Sequence, residues 1–174
     1  MRFKPKLQLK EVVKMEDTKK PVLGYVKESD LRILGELRKN SRQTLAEISR
    51  ATNVSISTIY DRIRFHEDKL IKKHTSILNF EMLGFGLRAN VLLSTKNKDE
   101  LKEYIARHPN INSAFEINNE YDFLIDCIFA NMSECRDFLD ALDQLGIDKK
   151  QVHYIINDIK VESFMTADYE NAEK

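Results

Sequence analysis

The sequence predicts an α+β protein in which a helix-turn-helix of the winged type precedes a domain of alternating strands and helices. Residues 44–68 have the pattern of two short helices joined by a tight turn, and strand and helix patterns alternate from residue 87 onwards. Residues 1–74 hold 18 Lys and Arg against 10 Asp and Glu, whereas residues 75–174 hold 10 against 18. This division indicates a module that binds a polyanion, joined to a module with another role.

Composition narrows the class of protein further. A hydrophobic content of 42% suffices for ordinary cores, and no apolar run is long enough to cross a bilayer. The N-terminus lacks the pattern of a signal peptide, so we expect no membrane partner and a cytoplasmic location. Cys127 and Cys135 are expected to be buried thiols rather than a disulfide. The four histidines show no metal-binding spacing, so we expect no metal and no cofactor.

The chain opens with a Lys-rich leader, residues 1–25, which we expect to be flexible. It is either a solvated tail or an arm that contacts phosphate. A helix-turn-helix domain is predicted over residues 26–71, and its first helix is expected to be capped by Ser29 or a neighbour and to run to about Lys39. The predicted buried stripe of this helix consists of Leu31, Ile33, Leu34 and Leu37.

The two helices of the motif have clear start signals. Thr44 and Glu47 form a T-x-x-E capping box, so the first of the two begins at Leu45. Asn53 supplies the turn because it adopts a positive φ at low cost, and Ser55 is the expected N-cap of the second helix.

The second helix of the motif has one apolar and one polar face. Ile59, Ile63 and His66 share the buried stripe, and His66 is expected to be packed and hydrogen-bonded. The opposite face is short and polar, with hydroxyls near its N-terminus, which suits insertion into the major groove of DNA. The candidate DNA-binding residues are Ser57, Thr58, Tyr60, Asp61, Arg64 and Arg42. We expect base edges to be read by Ser57, Thr58 and Asp61, and phosphate to be held by Tyr60 and Arg64.

Two charged residues of this helix allow a structural interpretation. Asp61 is spaced to pair with Arg64 and would then only orient that side chain. Arg62 lies nearer the buried stripe, and we expect it to form an ion pair with the first helix, at Glu36. Because helical hairpins of this shape also occur in proteins that never contact DNA, the motif alone leaves both interpretations open.

Residues 72–86 are predicted to form a β linker between the two domains. Thr75–Phe80 is rich in β-forming residues, and Gly84 and Gly86 mark a turn. The second domain follows over residues 87–165.

This second domain has the order β-α-β-β-α-β, which is the ferredoxin-like or split βαβ arrangement. Strands are predicted at residues 87–94, 111–117, 121–130 and 152–164, followed by a polar tail at 166–174. Its first helix is expected to bury Leu101, Tyr104 and Ile105, and its second to bury Phe138, Leu139, Leu142 and Leu145. Local predictions are a capping box at Asn97 and Glu100, a turn at 118–120, and a bulge near Asn157 and Asp158.

One face of the predicted sheet is left without helices. In the second strand Ile111, Phe115 and Ile117 are expected to point inward, towards the helices. The apolar third strand is expected to be central, and it places Leu124 and Ile128 on the bare face. An exposed apolar face of this kind predicts a second subunit that covers it.

Several short motifs occur in a characteristic order along the chain. They are D-x-x-I-L at 30–34, L-A-E-I-S at 45–49, V-S-x-S-T-I-x-x-R-I at 54–63, L-N at 78–79, L-G at 83–84 and Y-D at 121–122. In order and spacing they resemble the Lrp/AsnC family, also called feast/famine regulators, over residues 26–164. The chain departs from the family pattern at His66, where the family has Leu, and at Asn119, where it has Gly.

The resemblance implies a sequence-specific regulator of transcription that binds double-stranded DNA. It implies a prokaryotic, nucleoid-associated protein that forms a homodimer through its C-terminal domain and assembles further into a tetramer or octamer. It also implies an amino acid or other small effector near Asn119, Tyr121 and Asp122. Asn119 fills space that close backbone approach requires, so an ordinary hairpin corner is the alternative for these residues.

Two other functions are alternatives to a specific regulator. Siroheme decarboxylases resemble Lrp-type proteins in overall plan, but we find no nucleophile with a base, no glycine-rich phosphate loop and no paired carboxylates, so we expect no enzyme. A DNA-architectural protein with weak sequence preference is the third possibility.

Overall fold

The computed structural model describes residues 26–67 and 69–166, and these form two units. The described parts of residues 1–75 and 160–174 make up one unit, and residues 76–159 make up the other. The predicted basic leader, residues 1–25, and all of the predicted polar tail except Thr166 lie outside the described residues.

The first unit contains the predicted helices, α1 (Glu28–Lys39), α2 (Leu45–Thr52) and α3 (Ile56–Glu67). Each helix contributes one fully buried isoleucine to a shared core, namely Ile33, Ile48 and Ile59. The partly buried side chains packed against them are Leu37, Leu45, Val54 and Ile63. Of the stripe predicted for α1, Ile33 and Leu37 belong to this core, whereas Leu31 and Leu34 are half-buried and lie outside it.

The start signals of the motif are confirmed. Thr44 Oγ1 accepts a hydrogen bond from the Glu47 amide at 3.2 Å, and the Thr44 amide donates to the Glu47 carboxylate at 2.7 Å. Asn53 has φ 54°, in the left-handed region. Ser55 Oγ accepts from the Thr58 amide at 3.3 Å, so Ser55 caps α3 as predicted.

The first helix begins slightly earlier than expected. Its N-cap is Lys27 rather than Ser29, and the Lys27 amide donates to Asp30 Oδ2 at 2.7 Å. The carboxylate at the third helical position satisfies this amide, so the helix needs no hydroxyl cap.

The predicted β linker is wrong. Residues 72–80 form no strand, and only a short 3-10 turn, Glu81–Leu83, precedes Gly84 at φ 89°. A strand requires a neighbour to satisfy its backbone groups, and none pairs with Thr75–Phe80 among the described residues. Ile77 and Leu78 are consequently 67% and 52% exposed.

The second unit has the predicted β-α-β-β-α-β order. Its elements are β1 (Leu87–Thr95), α4 (Lys98–Arg107), β2 (Ile111–Glu116), β3 (Phe123–Phe129), α5 (Met132–Asp143) and β4 (Ile147–Tyr154). All strand pairs are antiparallel, and the order across the sheet is β2-β3-β1-β4, which places β3 inside the sheet as expected.

Both helices of this unit pack on one face of the sheet. The core between them combines buried residues from β1 and β3 with buried residues from α4 and α5. The sheet contributes Ala89, Val91, Leu93, Phe123, Ile125, Cys127 and Phe129, and the helices contribute Leu101, Ile105, Cys135, Phe138 and Leu142. Of the helix residues predicted to be buried, Leu101, Ile105, Phe138 and Leu142 lie in this core, and Tyr104, Leu139 and Leu145 pack against it.

The inward position expected for Phe115 is wrong. Ile111 pairs with Cys127 on the helix-covered face, but the register shifts before Ser113, and Phe115 then pairs with Leu124 on the opposite face. Because side chains alternate along a strand, this single irregularity moves Phe115 to the helix-free face, where it is 55% exposed.

The last strand also differs from expectation. β4 starts at Ile147 rather than Val152 and ends at Tyr154, so the bulge predicted near Asn157 does not exist. Tyr154 pairs with Ala89, which is only two residues from Leu87, the first residue of β1. Because the two strands are antiparallel, residues after Tyr154 soon have no β1 residue to pair with. The irregularity in this ladder lies instead at Ser94 and Thr95 of β1.

The capping box predicted for α4 is not formed. Asn97 is the N-cap, but its side chain accepts no capping hydrogen bond, and its amide donates to Thr95 Oγ1 at 3.0 Å. α5 does have a side-chain cap, since Asn131 Oδ1 accepts from the Glu134 amide at 3.0 Å.

The helix-free face of the sheet is more polar than the sequence suggested. Arg88 lies between two carboxylates, with Nε 2.7 Å from Asp126 Oδ1 and Nη1 3.0 Å from Asp158 Oδ1. Leu124 is half-buried and Ile128 is 8% exposed beside this cluster. The helix-free face therefore carries both apolar side chains and the charged cluster of Arg88, Asp126 and Asp158.

Candidate nucleic-acid interface

The candidate interface is the outer face of α3. Ile59 anchors the opposite side of this helix and is fully buried in the core of the first unit. The side chains predicted to face outward are all exposed: Ser57, Thr58, Tyr60, Asp61 and Arg64. The helix thus presents hydroxyls near its N-terminus and charges further along.

Hydroxyl groups are organised around the N-cap of α3. Ser55 Oγ lies 2.8 Å from Thr58 Oγ1 and 3.2 Å from Ser57 Oγ. A hydroxyl both donates and accepts, and the N-terminus of a helix carries partial positive charge. This end of α3 can therefore meet either a phosphate oxygen or a base edge.

The charged and phenolic candidates are not engaged within the described part of the chain. No hydrogen bond or ion pair there involves the side chains of Tyr60, Asp61, Arg64 or Arg42. The suggested pairing of Asp61 with Arg64 is therefore not formed. Both groups remain available to an outside partner.

One exposed residue at this surface was missed by sequence reasoning. Ile56, the first residue of α3, is 50% exposed. Its spacing of three from Ile59 is typical of a buried position, so no sequence signal identified it. An exposed aliphatic group beside Ser57 is suited to contact the methyl group of thymine.

A buried ion pair holds α3 against α1. Arg62 Nε and Nη2 donate to Asp30 Oδ1 and Oδ2 at 2.6 and 2.5 Å, and Asp30 is fully buried. The prediction of an ion pair with α1 is confirmed, but the partner is Asp30 and not Glu36. Burial alone would raise the pKa of Asp30, but the hydrogen bonds from Arg62 and from the Lys27 amide outweigh it and lower that pKa below its usual value.

His66 is packed as expected but not hydrogen-bonded. It is 1% exposed, and neither ring nitrogen has a hydrogen-bond partner among the described residues. Its Nε2 lies 3.5 Å from Asp30 Oδ2, whose acceptor positions are already used by Arg62 and by the Lys27 amide. The expected hydrogen bond is therefore absent because its acceptor is saturated.

The basic residues at the end of α1 differ in their engagement. Lys39 Nζ lies 2.7 Å from Glu36 Oε1. Arg38 donates to residues 162 and 164 of the C-terminal segment. The Arg42 side chain extends into solvent just before α2.

The predicted effector corner forms part of a hairpin. Asn119 is in the left-handed region at φ 75°, and the Ile117 amide donates to the Asp122 carbonyl across the turn. Tyr121 Oη donates to Gln151 Oε1 at 3.0 Å. These contacts give the corner a defined shape.

Asp122 is committed to contacts within its own unit. Lys98 Nζ lies 2.6 Å from Asp122 Oδ1, and the Thr95 amide donates to Oδ2 at 3.0 Å. The hydrogen bond from Lys98, followed by that from Thr95, lowers the pKa of this carboxyl. The carboxylate therefore fixes the start of α4 against the hairpin.

Across residues 26–67 and 69–166, no three His, Cys, Asp or Glu side chains come together as a metal site. Within the same ranges no helix has the length and apolar character needed to span a membrane. Cys127 and Cys135 are free and buried, as the sequence predicted.

Comparison with known families and proteins agrees with this architecture. Residues 27–65 match the family described as winged helix-turn-helix DNA-binding, and residues 88–163 match the Lrp/AsnC ligand binding domain. The HTH-type transcriptional regulator FL11 of Pyrococcus furiosus is 31% identical over 125 residues, which cover 70% of this chain and 83% of that protein.

Solved structures show the same fold. LrpC of B. subtilis superposes with a TM-score of 0.71 at 25% identity, covering 78% of this chain and 97% of its own. A transcriptional regulator of Neisseria meningitidis, solved as a complex with L-Met, gives a TM-score of 0.73 at 24% identity over 78% of this chain and 93% of its own. A DNA-binding helix-turn-helix joined to this ligand-binding domain is the architecture of one family, and the chain belongs to the Lrp/AsnC family of transcriptional regulators.

Proposed function

We propose that this regulator binds specific double-stranded DNA sequences through α3. The observation that carries the proposal is the outer face of α3, whose exposed polar and charged groups stand over a fully buried Ile59. A rigid helix with an unengaged outer face is suited to the major groove. The buried pair between Arg62 and Asp30 supports this role because it fixes α3 to the rest of its unit.

The outer face divides into base-reading and phosphate-holding groups. Ser57, Thr58 and Asp61 read base edges in this proposal, since hydroxyls accept and donate and a carboxylate accepts from cytosine N4. Tyr60, Arg64 and Arg42 hold phosphate, which positions the protein without reading sequence. Binding is expected to weaken steeply with salt because Lys and Arg release counterions from DNA.

A homodimer joined through the C-terminal sheets is part of the proposal. Half-buried Leu124 and exposed Phe115 on the helix-free face support it, as do the exposed Ile77 and Leu78 of the linker. Two copies of α3 would then occupy successive major grooves, and the operator would be roughly palindromic. Dimers assemble further into a tetramer or octamer in this proposal.

An amino acid or similar small effector is proposed to bind near Asn119, Tyr121 and Asp122. The complex of the Neisseria meningitidis regulator with L-Met supports an amino acid as the class of ligand. The left-handed turn at Asn119 supports a preformed site. We further propose that the protein is not an enzyme and that it acts in the prokaryotic cytoplasm at the nucleoid.

Selection of bound sequences from random duplex DNA, repeated with a panel of amino acids, tests this function. The wild type should enrich a palindromic motif. Arg64→Ala should lower affinity for all duplexes by a similar factor, whereas Ser57→Ala should change the preferred bases. Asp137→Ala, at an exposed position of α5, is the control and should change neither property. Equal effects of Arg64→Ala and Ser57→Ala on every sequence would contradict the assigned roles.

A further inference from the structure

The C-terminal segment, residues 160–166, belongs to the DNA-binding unit although it follows the last strand of the other unit. The chain therefore passes between the two units twice, after residue 75 and after residue 159. We call residues 160–166 the strap.

A single arginine of α1 holds the strap. Arg38 Nε donates to the Phe164 carbonyl at 2.7 Å, and Nη2 donates to the Glu162 carbonyl at 3.0 Å and to Glu162 Oε2 at 2.8 Å. The contact is open to solvent, with the Arg38 and Glu162 side chains 37% and 64% exposed. Ion pairs as exposed as this one contribute little, so competing groups can displace it.

The backbone of the strap is held in an unfavourable conformation. Glu162 has φ 46° and Met165 has φ 66°, and neither is a glycine. Such residues persist in the left-handed region only where surrounding contacts impose it, and they concentrate in switch segments. Release of the three hydrogen bonds to Arg38 would therefore also relieve backbone strain.

The groups that contact Arg38 resemble those of a phosphodiester. Two carbonyl oxygens and one carboxylate oxygen surround a guanidinium, which forms forked hydrogen bonds with phosphate equally well. Arg38 lies in the last turn of α1, and Arg42 follows in the connection to α2.

We propose that the strap is an autoinhibitory contact that occupies Arg38 and is displaced by the phosphate backbone of duplex DNA. The proposal rests on DNA binding by this unit. In the free protein Arg38 is neutralised by Glu162, and in the complex Arg38 contacts phosphate while the strap is released. The strap thus lowers affinity for DNA of any sequence and favours sites at which the base contacts of α3 are strong.

Binding of a nonspecific duplex at several salt concentrations tests the strap. A chain ending at Ile159 should bind about three- to tenfold more tightly near 0.1 M salt, with a log–log salt slope steeper by about one, which corresponds to one added phosphate contact. Glu162→Gln should give a smaller gain in the same direction. Arg38→Ala should change affinity less than about twofold in the full chain and should remove the gain of the shortened chain.

Glu103→Gln is the matched control for Glu162→Gln. Glu103 is an exposed acid in the other unit, and its replacement changes the net charge by the same one unit. It should leave affinity and salt slope unchanged. Equal affinities for wild type, Glu162→Gln and the shortened chain, or weaker binding by either variant, would overturn the strap proposal. If the shortened chain does not fold, the full-length variants decide the question. Glu162→Gln should bind more tightly than the wild type, and this gain should disappear when Arg38→Ala is added. Failure of the wild type itself to bind any duplex would overturn the DNA-binding proposal as well, so the two failures are distinguishable.

Discussion

Asp30 shows how one buried charge organises the DNA-binding unit. Its carboxylate accepts two hydrogen bonds from Arg62 of α3 and one from the amide of Lys27, the N-cap of α1. It therefore links α3 to the first turn of α1. Sequence reasoning predicted that Arg62 would pair with α1 but chose Glu36. Periodicity identifies which face a side chain occupies, but it does not specify which of two carboxylates on a distant helix lies opposite.

Removal of this carboxylate should destabilise the DNA-binding unit strongly. Asp30→Asn leaves the Arg62 guanidinium partly buried without its counter-charge, and we expect a loss of about 3 kcal/mol in the free energy of unfolding. Chemical denaturation followed by circular dichroism measures it. Asp61→Asn is the matched control on the exposed face and should change stability by less than about 0.5 kcal/mol. Equal stability of the two variants would show that the pair contributes nothing.

The pH dependence of this contribution has a definite sign. Because the folded chain lowers the pKa of Asp30, its contribution is fully present above the ordinary value of 3.8 and is lost as the pH falls below it. The difference in stability between wild type and Asp30→Asn should therefore be constant near neutrality and shrink in acid. Denaturation curves at pH 7 and at stepwise lower pH check this trend.

The two cysteines should be chemically inert in the native protein. Burial raises the pKa of Cys127 to about 12, and burial also raises the pKa of Cys135. Since the thiolate is the reactive form, neither residue should react with a disulfide reagent such as Ellman's until the chain unfolds. Rapid labelling of one thiol per chain under native conditions would contradict this expectation.

At the scale of elements, the short-range signals were the most informative. The capping box of α2, the left-handed Asn53 and the N-cap Ser55 all depend on residues within three positions of one another, and all three are confirmed. Local hydrogen bonds of this kind do not depend on distant parts of the chain. They can therefore be predicted from sequence.

The capping box of α2 offers a direct measurement. Thr44→Ala removes the oxygen that accepts from the Glu47 amide, and we expect a loss of about 1 kcal/mol in the free energy of unfolding. Ser41→Ala, three residues earlier and outside any helix, is the control and should have little effect. The comparison is made by thermal unfolding, and indistinguishable midpoints would contradict the importance of the cap.

The strands show where local signals fail. The alternation in β2 predicted an inward Phe115, but the register shift before Ser113 reverses the faces of the residues that follow. The end of β4 and the missing linker strand depend on where a neighbouring strand is present. Register and strand length are properties of a pair of segments, so one segment alone cannot reveal them.

At the scale of the whole molecule, the order of elements was predictable and the grouping of segments was not. Charge division, helix spacing and strand alternation together predicted a helix-turn-helix followed by a β-α-β-β-α-β domain. The same reasoning placed residues 160–165 with the second domain, and the family match of that domain does run to residue 163, but the contact of the strap with Arg38 groups it with the first unit. A contact across more than 120 positions leaves no periodic trace in the sequence.

The proposed dimer makes a prediction at this scale. Phe115→Lys places a charge on the helix-free face, and burial of that charge should weaken dimerisation by about tenfold or more. Thermal stability of the monomer should change little because Phe115 is 55% exposed. Met132→Lys, on an exposed apolar residue of similar accessibility, is the control. Sedimentation measures the dissociation constant, and an unchanged value would exclude this face as the subunit interface.

The double passage of the chain between its units has a practical consequence for protein engineering. A reporter fused after residue 166 would follow a segment that belongs to the DNA-binding unit, although the matched ligand-binding domain precedes that segment in the chain. Cutting the protein near residue 75 would separate the strap from the unit to which it belongs and would therefore remove its contact with Arg38. A fragment meant to keep the whole DNA-binding unit should instead join residues 160–166 to residues 1–75 through a short artificial loop.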